Sequence, residues 1–177
     1  MCEIPIDIDD TEVIVRAIFQ PYHVNKKGRL KPKAFQSPAG KDEVSVIRHS
    51  YVGTAFCKGK AKEIEAKGNM GKEKSQLKTY KGFAVLKALH IRSVGSDVND
   101  SQDLFLGHAD IHHGIVLEPN EPHESSKSMM LNERLRLLAD KAVFYPDPAP
   151  DANQWLGADL NPKPTRIYTE SKCSDAG

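Results

Sequence analysis

The sequence predicts a small α+β domain, a mostly antiparallel sheet accompanied by one clear helix and one probable one. Short runs dense in β-branched residues alternate with loops rich in Pro, Gly and Lys, which is how strands and their connections read. One later segment, "SMMLNERLRLLADKAVF" at 128–144, repeats Leu131, Leu135, Leu138 and Ala142 at helical spacing. The 177 residues suffice for one hydrophobic core, so a single domain over 1–168 with a frayed tail at 169–177 is expected.

"TEVIVRAIF" at 11–19 is the first strand, with Val13, Val15, Ala17 and Phe19 facing one way and Ile14, Arg16 and Ile18 the other. The following "QPYHVNKKGRLKPKAFQSPAGKDE" is loop, anchored in the core by Ala34-Phe35. "EVSVIRHSYV" at 43–52 is a second strand, its Val44, Val46 and Arg48 on one face and Ser45, Ile47 and His49 on the other. Residues 54–68 are expected as the probable helix, ending at Gly68, and Lys67 to Lys78 as a solvated run. "TYKGFAVLKALHI" at 79–91 reads as a buried strand with a helical turn near Leu86–Arg92, and "SVGSDVNDSQD" as loop. "LFLGHADIHHGIVLE" at 104–118 reads as one long strand or two divided at Gly107. Ser128 is expected to cap the clear helix, and Pro146, Pro148 and Pro150 to end it. Trp155 and Leu156 are expected to pack back onto the body.

Net charge is only +1, but residues 26–92 hold 17 Lys/Arg against 5 Asp/Glu, and residues 93–177 hold 7 against 14. Such a distribution fits either a patch facing nucleic acid or another acidic partner, or two halves of the fold that attract each other. Cys2, Cys57 and Cys173 lack the number and spacing of a disulfide framework or a thiolate zinc site, which fits a reducing compartment. Lys58, Lys60 and Lys62 around Cys57 admit a reactive thiol, with a small semi-buried cysteine as the other reading. The acidic start "MCEIPIDIDDTE" is unlike a signal peptide, and no apolar run is long enough to cross a bilayer. The expectation is a cytoplasmic protein without a membrane partner. No P-loop, dinucleotide fingerprint, HExxH or GxSxG pattern occurs.

The stretch most suited to chemistry is "HADIHH". On a strand, His108, Asp110 and His112 share one face, spaced about 7 Å apart, while Ala109, Ile111, His113 and Ile115 face the core. Three readings stay open: a half-exposed strand face, a metal-free acid/base site, or a divalent metal site completed by His90 or His123. Arg16 and Arg48 each interrupt an apolar strand face. A buried guanidinium needs a carboxylate, a carbonyl or an anionic ligand, so each is a structural ion pair or a contact to a substrate phosphate or carboxylate.

The order Arg16-Ala-Ile18, Ala34-Phe35, Ser45-Val46 with Arg48, and His108-Ala-Asp110-Ile111 resembles a set of small, functionally uncharacterised prokaryotic proteins sharing an R-x-I, A-F, S-V, H-A-acidic-I order. The resemblance spans about the first two thirds of the chain. It implies a bacterial cytosolic protein with a pocket built from these strands, and supplies no activity. The first functional expectation is therefore a pocket where Arg16 and Arg48 bind a phosphate-bearing ligand and His108, Asp110 and His112 transfer protons, as in a His-dependent hydrolase or transferase of phosphoesters or nucleotides. The alternative is a non-catalytic accessory protein docking on nucleic acid or an acidic protein through residues 26–92.

Overall fold

The computed structural model describes residues 4–160, so the tail expected at 169–177 lies outside the described residues. The strands in chain order are β1 (Val13–Gln20), β2 (Glu43–Arg48), β3 (Thr79–Lys87), β4 (Asp97–Asp100), β5 (His108–His112) and β6 (Val143–Pro146). They form one sheet in the order β4-β5-β2-β1-β3-β6, with every neighbouring pair antiparallel. The helices are α1 (Thr54–Asn69), α2 (Ala88–Arg92) and α3 (Ser126–Lys141), and a 3-10 turn covers Pro32–Phe35. The α+β class is thus observed.

Period-two alternation divides the apolar side chains of β1 between two cores. Ile14 and Ile18 join Val44, Val46, Ala109, Ile111, Phe35 and the Leu131, Leu135 and Leu138 stripe of α3. Val13, Val15, Ala17 and Phe19 join Ile47, Tyr80, Phe83, Val85 and the small residues Cys57 and Ala61 of α1. The sheet is therefore the middle of three layers, with α1 on one face and α3 on the other. Small residues at 57 and 61 let α1 approach closely, although its apolar pattern is weak. Cys57 is fully buried there, and burial pushes its thiol pKa far up, so it is held protonated.

Several boundaries differ from expectation. Residues 97–100, read as loop, form β4, because pairing with β5 compensates a segment whose one apolar side chain is Val98. β5 spans only His108–His112, since Gly107 and Gly114 adopt φ values of 78° and 65°, outside extended geometry. The α3 cap is Ser125, whose side chain accepts from the Ser128 backbone N–H, and Ser128 itself is inside the helix. The helix also stops earlier, and Val143–Pro146 pairs with β3 as an edge strand. Gly82 permits this arrangement: its φ is 138°, and a Cβ there would come within 2.1 Å of the Tyr145 carbonyl oxygen. Trp155 packs on Phe83 at 5.6 Å between ring centroids, whereas Leu156 is exposed.

Charged side chains reinforce this assembly. Arg48 is fully buried and makes a bidentate pair with Glu12, at 2.9 Å from Nε and 2.8 Å from Nη2. Its Nη1 also donates to Asp100 at 2.6 Å and to the Pro5 carbonyl. Lys58 is likewise buried, paired with Asp147 at 2.8 Å and donating to the Ala149 and Gln154 carbonyls. Arg92 holds Asp97 and Asp10. Arg48, Lys58 and Arg92 thus tie the basic middle of the chain to the acidic later part. Arg48→Ala should destabilise the protein by about 3–5 kcal/mol, because Glu12 and Asp100 would remain buried without their cation. Urea unfolding measures this, with Arg136→Ala as a nearly silent control that removes only exposed pairs with Glu133 and Asp140.

Candidate functional site

The site begins where the sheet opens. β1 and β2 pair only at Ile14↔Arg48 and Val15↔Ile47, whereas β1 pairs with β3 and β2 with β5 over much longer stretches. Beyond Val15 the two central strands diverge. A cavity of about 600 Å³ lies in this fork. Consecutive residues of both strands line it, Val15 to Ala17 and Ser45 to Ile47, so it reaches the backbone between them.

Arg16 reaches across the fork. Its Nη1 donates to the Ser45 carbonyl of β2 at 2.6 Å, where the divergent strands make no ladder bond, and its Nε to the Ala34 carbonyl of the 3-10 turn at 3.2 Å. No carboxylate forms an ion pair with it among the described residues. Burial lowers its pKa to about 10, with the Asp110 carboxylate acting in the opposite direction. Arg16 is therefore a cation whose charge is only partly balanced by the fold.

Two more cations line the cavity, Lys67 from α1 and Lys78 from the loop before β3. Lys78 sits 4.7 Å from the Phe19 ring centroid, and burial together with the charges of Lys72 and Arg16 lowers its pKa. His23 also lines the cavity, and its Nδ1 accepts from the Phe19 N–H at 3.2 Å. Burial, seconded by the charge of Arg16, presses its pKa down to about 3, so it stays neutral near pH 7.

His108 and Asp110 stand side by side on the α1 face of β5, as the alternation requires, with His108 lining the cavity and stacked edge-on against Phe105 at 4.8 Å. Their closest approach is 3.8 Å, and Ser101 bridges them. Its hydroxyl donates to Asp110 Oδ2 at 2.7 Å and lies 2.6 Å from His108 Nδ1. The serine has one proton, and an ionised carboxylate can only accept, so the proton between Ser101 and His108 belongs to Nδ1. The Ser101 carbonyl, 3.1 Å from Nδ1, favours the same tautomer. Nε2 is then the basic nitrogen, and it makes no hydrogen bond among the described residues.

The five residues singled out in the sequence therefore part company. Arg16 and His108 line the fork, and Asp110 stands behind His108 through Ser101. Arg48 lies outside the cavity lining, its guanidinium committed to Glu12, Asp100 and backbone carbonyls. His112 is on the same face as His108 but contacts Asp42, with Nδ1 3.4 Å from Oδ1. His90 accepts from the Lys87 N–H, and neither His90 nor His123 joins His108 in a metal-ligating cluster among the described residues. His113 is buried on the opposite face, between Ser96 and the Phe35 carbonyl. Ser101, His23 and Lys78 sit in loops, where long-range contact leaves no local pattern, and Lys67 stands on α1, whose apolar spacing is weak.

Comparison of the chain with protein-family models, with curated proteins and with solved structures gives no match. No helix among the described residues is long and apolar enough to cross a membrane.

The half-buried His23 and the buried His49 fix an acid limit. Burial also lowers His49, to about 4, so the folded state leaves His23 and His49 neutral where the unfolded chain, titrating near 6.5, takes up protons. Stability present above pH 6.5 is lost as pH falls toward 4, by up to about 1.4 kcal/mol per pH unit for each histidine. Thermal unfolding at about pH 7 and pH 5 measures the slope. His23→Gln and His49→Gln should each flatten it; an unchanged slope in both variants would assign the acid sensitivity elsewhere.

Proposed function

We propose that the protein binds a small phosphate-bearing ligand, of nucleotide size, in the fork between β1 and β2, and that His108 serves proton transfer on it. The observation that carries this reading is the composition of the cavity wall. Its charged residues, Arg16, Lys67 and Lys78, are all cationic, while Val15, Ala17, Phe19, Ile47 and Phe105 supply an apolar floor. Such a surface suits a molecule with an anionic end and an apolar or aromatic body, and the volume is that of a small-molecule site. The Arg16 fork is adapted to a phosphate because two parallel donors can meet two oxygens. The reaction class this supports is phosphoester chemistry. His108 Nε2 accepts a proton from water or a substrate hydroxyl, while Ser101 and Asp110 hold the ring in place.

A second reading rests on Lys26, Lys27 and Arg29, which cluster in the loop closed by the Val24–Leu30 bridge and make no ion pair among the described residues. In that reading they dock on nucleic acid or an acidic partner.

Inorganic phosphate, sulfate and nucleoside mono- and diphosphates should raise the melting temperature of the wild type. Ligand at 100 times its dissociation constant contributes about 2.7 kcal/mol. Arg16→Lys keeps the charge but loses the bidentate fork, and should lose at least about tenfold in affinity, or about 1.4 kcal/mol. His108→Gln should retain the shift and lose any phosphoester turnover. Absence of a shift in the wild type, or an equal shift in Arg16→Lys and Lys78→Ala, would sink the pocket. Salt-dependent binding of DNA or RNA lost on neutralising Lys26, Lys27 and Arg29 would favour docking instead.

A further inference from the structure

His112 leaves the His/Asp/His row for a different set of neighbours. Glu43 is directly opposite it on β2, and Asp97 directly opposite on β4, so three strands present Glu43, His112 and Asp97 in one row on one face. Asp42 joins from the residue before β2. Its Oδ2 accepts from the Gly114 N–H at 3.2 Å, which orients the carboxylate and leaves Oδ1 toward the imidazole.

We propose that Asp42, Glu43 and His112 form a binding site for a borderline divalent cation, zinc above all, distinct from the fork. One ligand atom from each of the three lies within 4.8 Å of the others. The decisive distance is the 3.4 Å between His112 Nδ1 and Asp42 Oδ1. It is longer than a good N–H···O hydrogen bond, which is about 2.7–3.2 Å. It equals the ligand-to-ligand edge of a tetrahedral zinc site with bonds of about 2.1 Å, which is about 3.4 Å. The two groups are thus placed as co-ligands would be, with the Glu43 carboxylate completing three.

The chemistry of the donors selects the ion. An imidazole beside two carboxylates suits zinc, cobalt or manganese, whereas magnesium and calcium favour all-oxygen shells. Arg92 and Arg134 line the same recess as His112, the first paired with Asp10 and Asp97 and the second donating to the His113 carbonyl. Asp42 and Glu43 are opposed by Lys41, whose ammonium stays 3.6 Å from Glu43 on an exposed side chain and is readily displaced. Asp97 takes its hydrogen bonds from Arg92 and Val98 on Oδ1, which leaves Oδ2 as a further acceptor beside the row. Three protein ligands leave one tetrahedral position for water or an exogenous donor. None of these residues lines the fork, so the ion site and the ligand reading fail or succeed separately.

Titration of the untagged, chelator-treated full chain with zinc chloride tests the site by calorimetry, and cobalt(II) titration reports geometry through its visible absorption. One zinc should bind per chain, with a tetrahedral cobalt spectrum. Asp42→Asn and His112→Gln preserve shape and should each weaken zinc by at least about tenfold, since loss of even a supporting contact behind a ligand costs about 10–100-fold. Their unfolding midpoints without metal should match the wild type, which separates ligand loss from misfolding. His90→Gln should bind zinc normally. The proposal is overturned if the wild type takes up no stoichiometric zinc, if both site variants bind as well as the wild type, or if His90→Gln loses the ion equally.

Discussion

The two central strands of the sheet pair at one end and part at the other, and the cavity exists because of that divergence. At the closed end, Arg48 joins the end of β2 to Glu12, just before β1, and to Asp100 on β4. At the open end, the Arg16 side chain substitutes for the missing ladder by donating to the Ser45 carbonyl, and it also holds the Ala34 carbonyl of the 3-10 turn. A sheet interior tolerates unpaired carbonyls poorly, so a divergence of this kind requires a replacement donor. Arginine meets the requirement with donors to spare. The same side chain that satisfies the backbone therefore leaves part of its fork directed at the space it helped to open.

Two buried cations, Arg48 and Lys58, and the half-buried Arg16 illustrate how partner choice divides structure from binding. Arg48 has two carboxylates, and Lys58 has Asp147 with two carbonyls. Arg16 has two carbonyls and only a more distant Asp110. Carbonyl dipoles solvate a cation without neutralising it, and the lowered pKa of Arg16 records the difference. Lys78 lies within the field of the same guanidinium, so positive potential accumulates in the fork. Ser101 plays the converse part at His108, where a single hydroxyl proton fixes which imidazole nitrogen is basic.

How much of this was legible in the sequence follows from the range of each interaction. Alternation in β1, β2 and β5 specified which side chains share a face, and it assigned His108, Asp110 and His112 to one side and His113 to the other. The Leu131, Leu135 and Leu138 stripe located α3. What the sequence could not carry was partnership at a distance. Arg16 and Arg48 look alike as cations on apolar strand faces, yet Glu12 is 36 positions from Arg48 and Asp100 is 52. β4 and β6 were missed for different reasons: "DVND" has little strand propensity of its own and becomes a strand through β5, whereas "VFYP" favours a strand but directly follows the Leu stripe of α3 and reads as its continuation. Ser101 lacked any periodic context to mark it as the bridge between His108 and Asp110.

The rims of the sheet are guarded in the ways natural sheets use. β4 is four residues long and carries two aspartates, and β6 is equally short and ends in Pro146. Neither offers an intruding chain a long, flat, neutral template. The exposed ladder of this molecule is instead internal, between β1 and β2, where an arginine stands across the gap. A peptide that sought to add a strand would have to dislodge that guanidinium and strand its charge among apolar side chains. The arrangement that gives the protein its recess thereby also withholds the Ser45 carbonyl from an added strand.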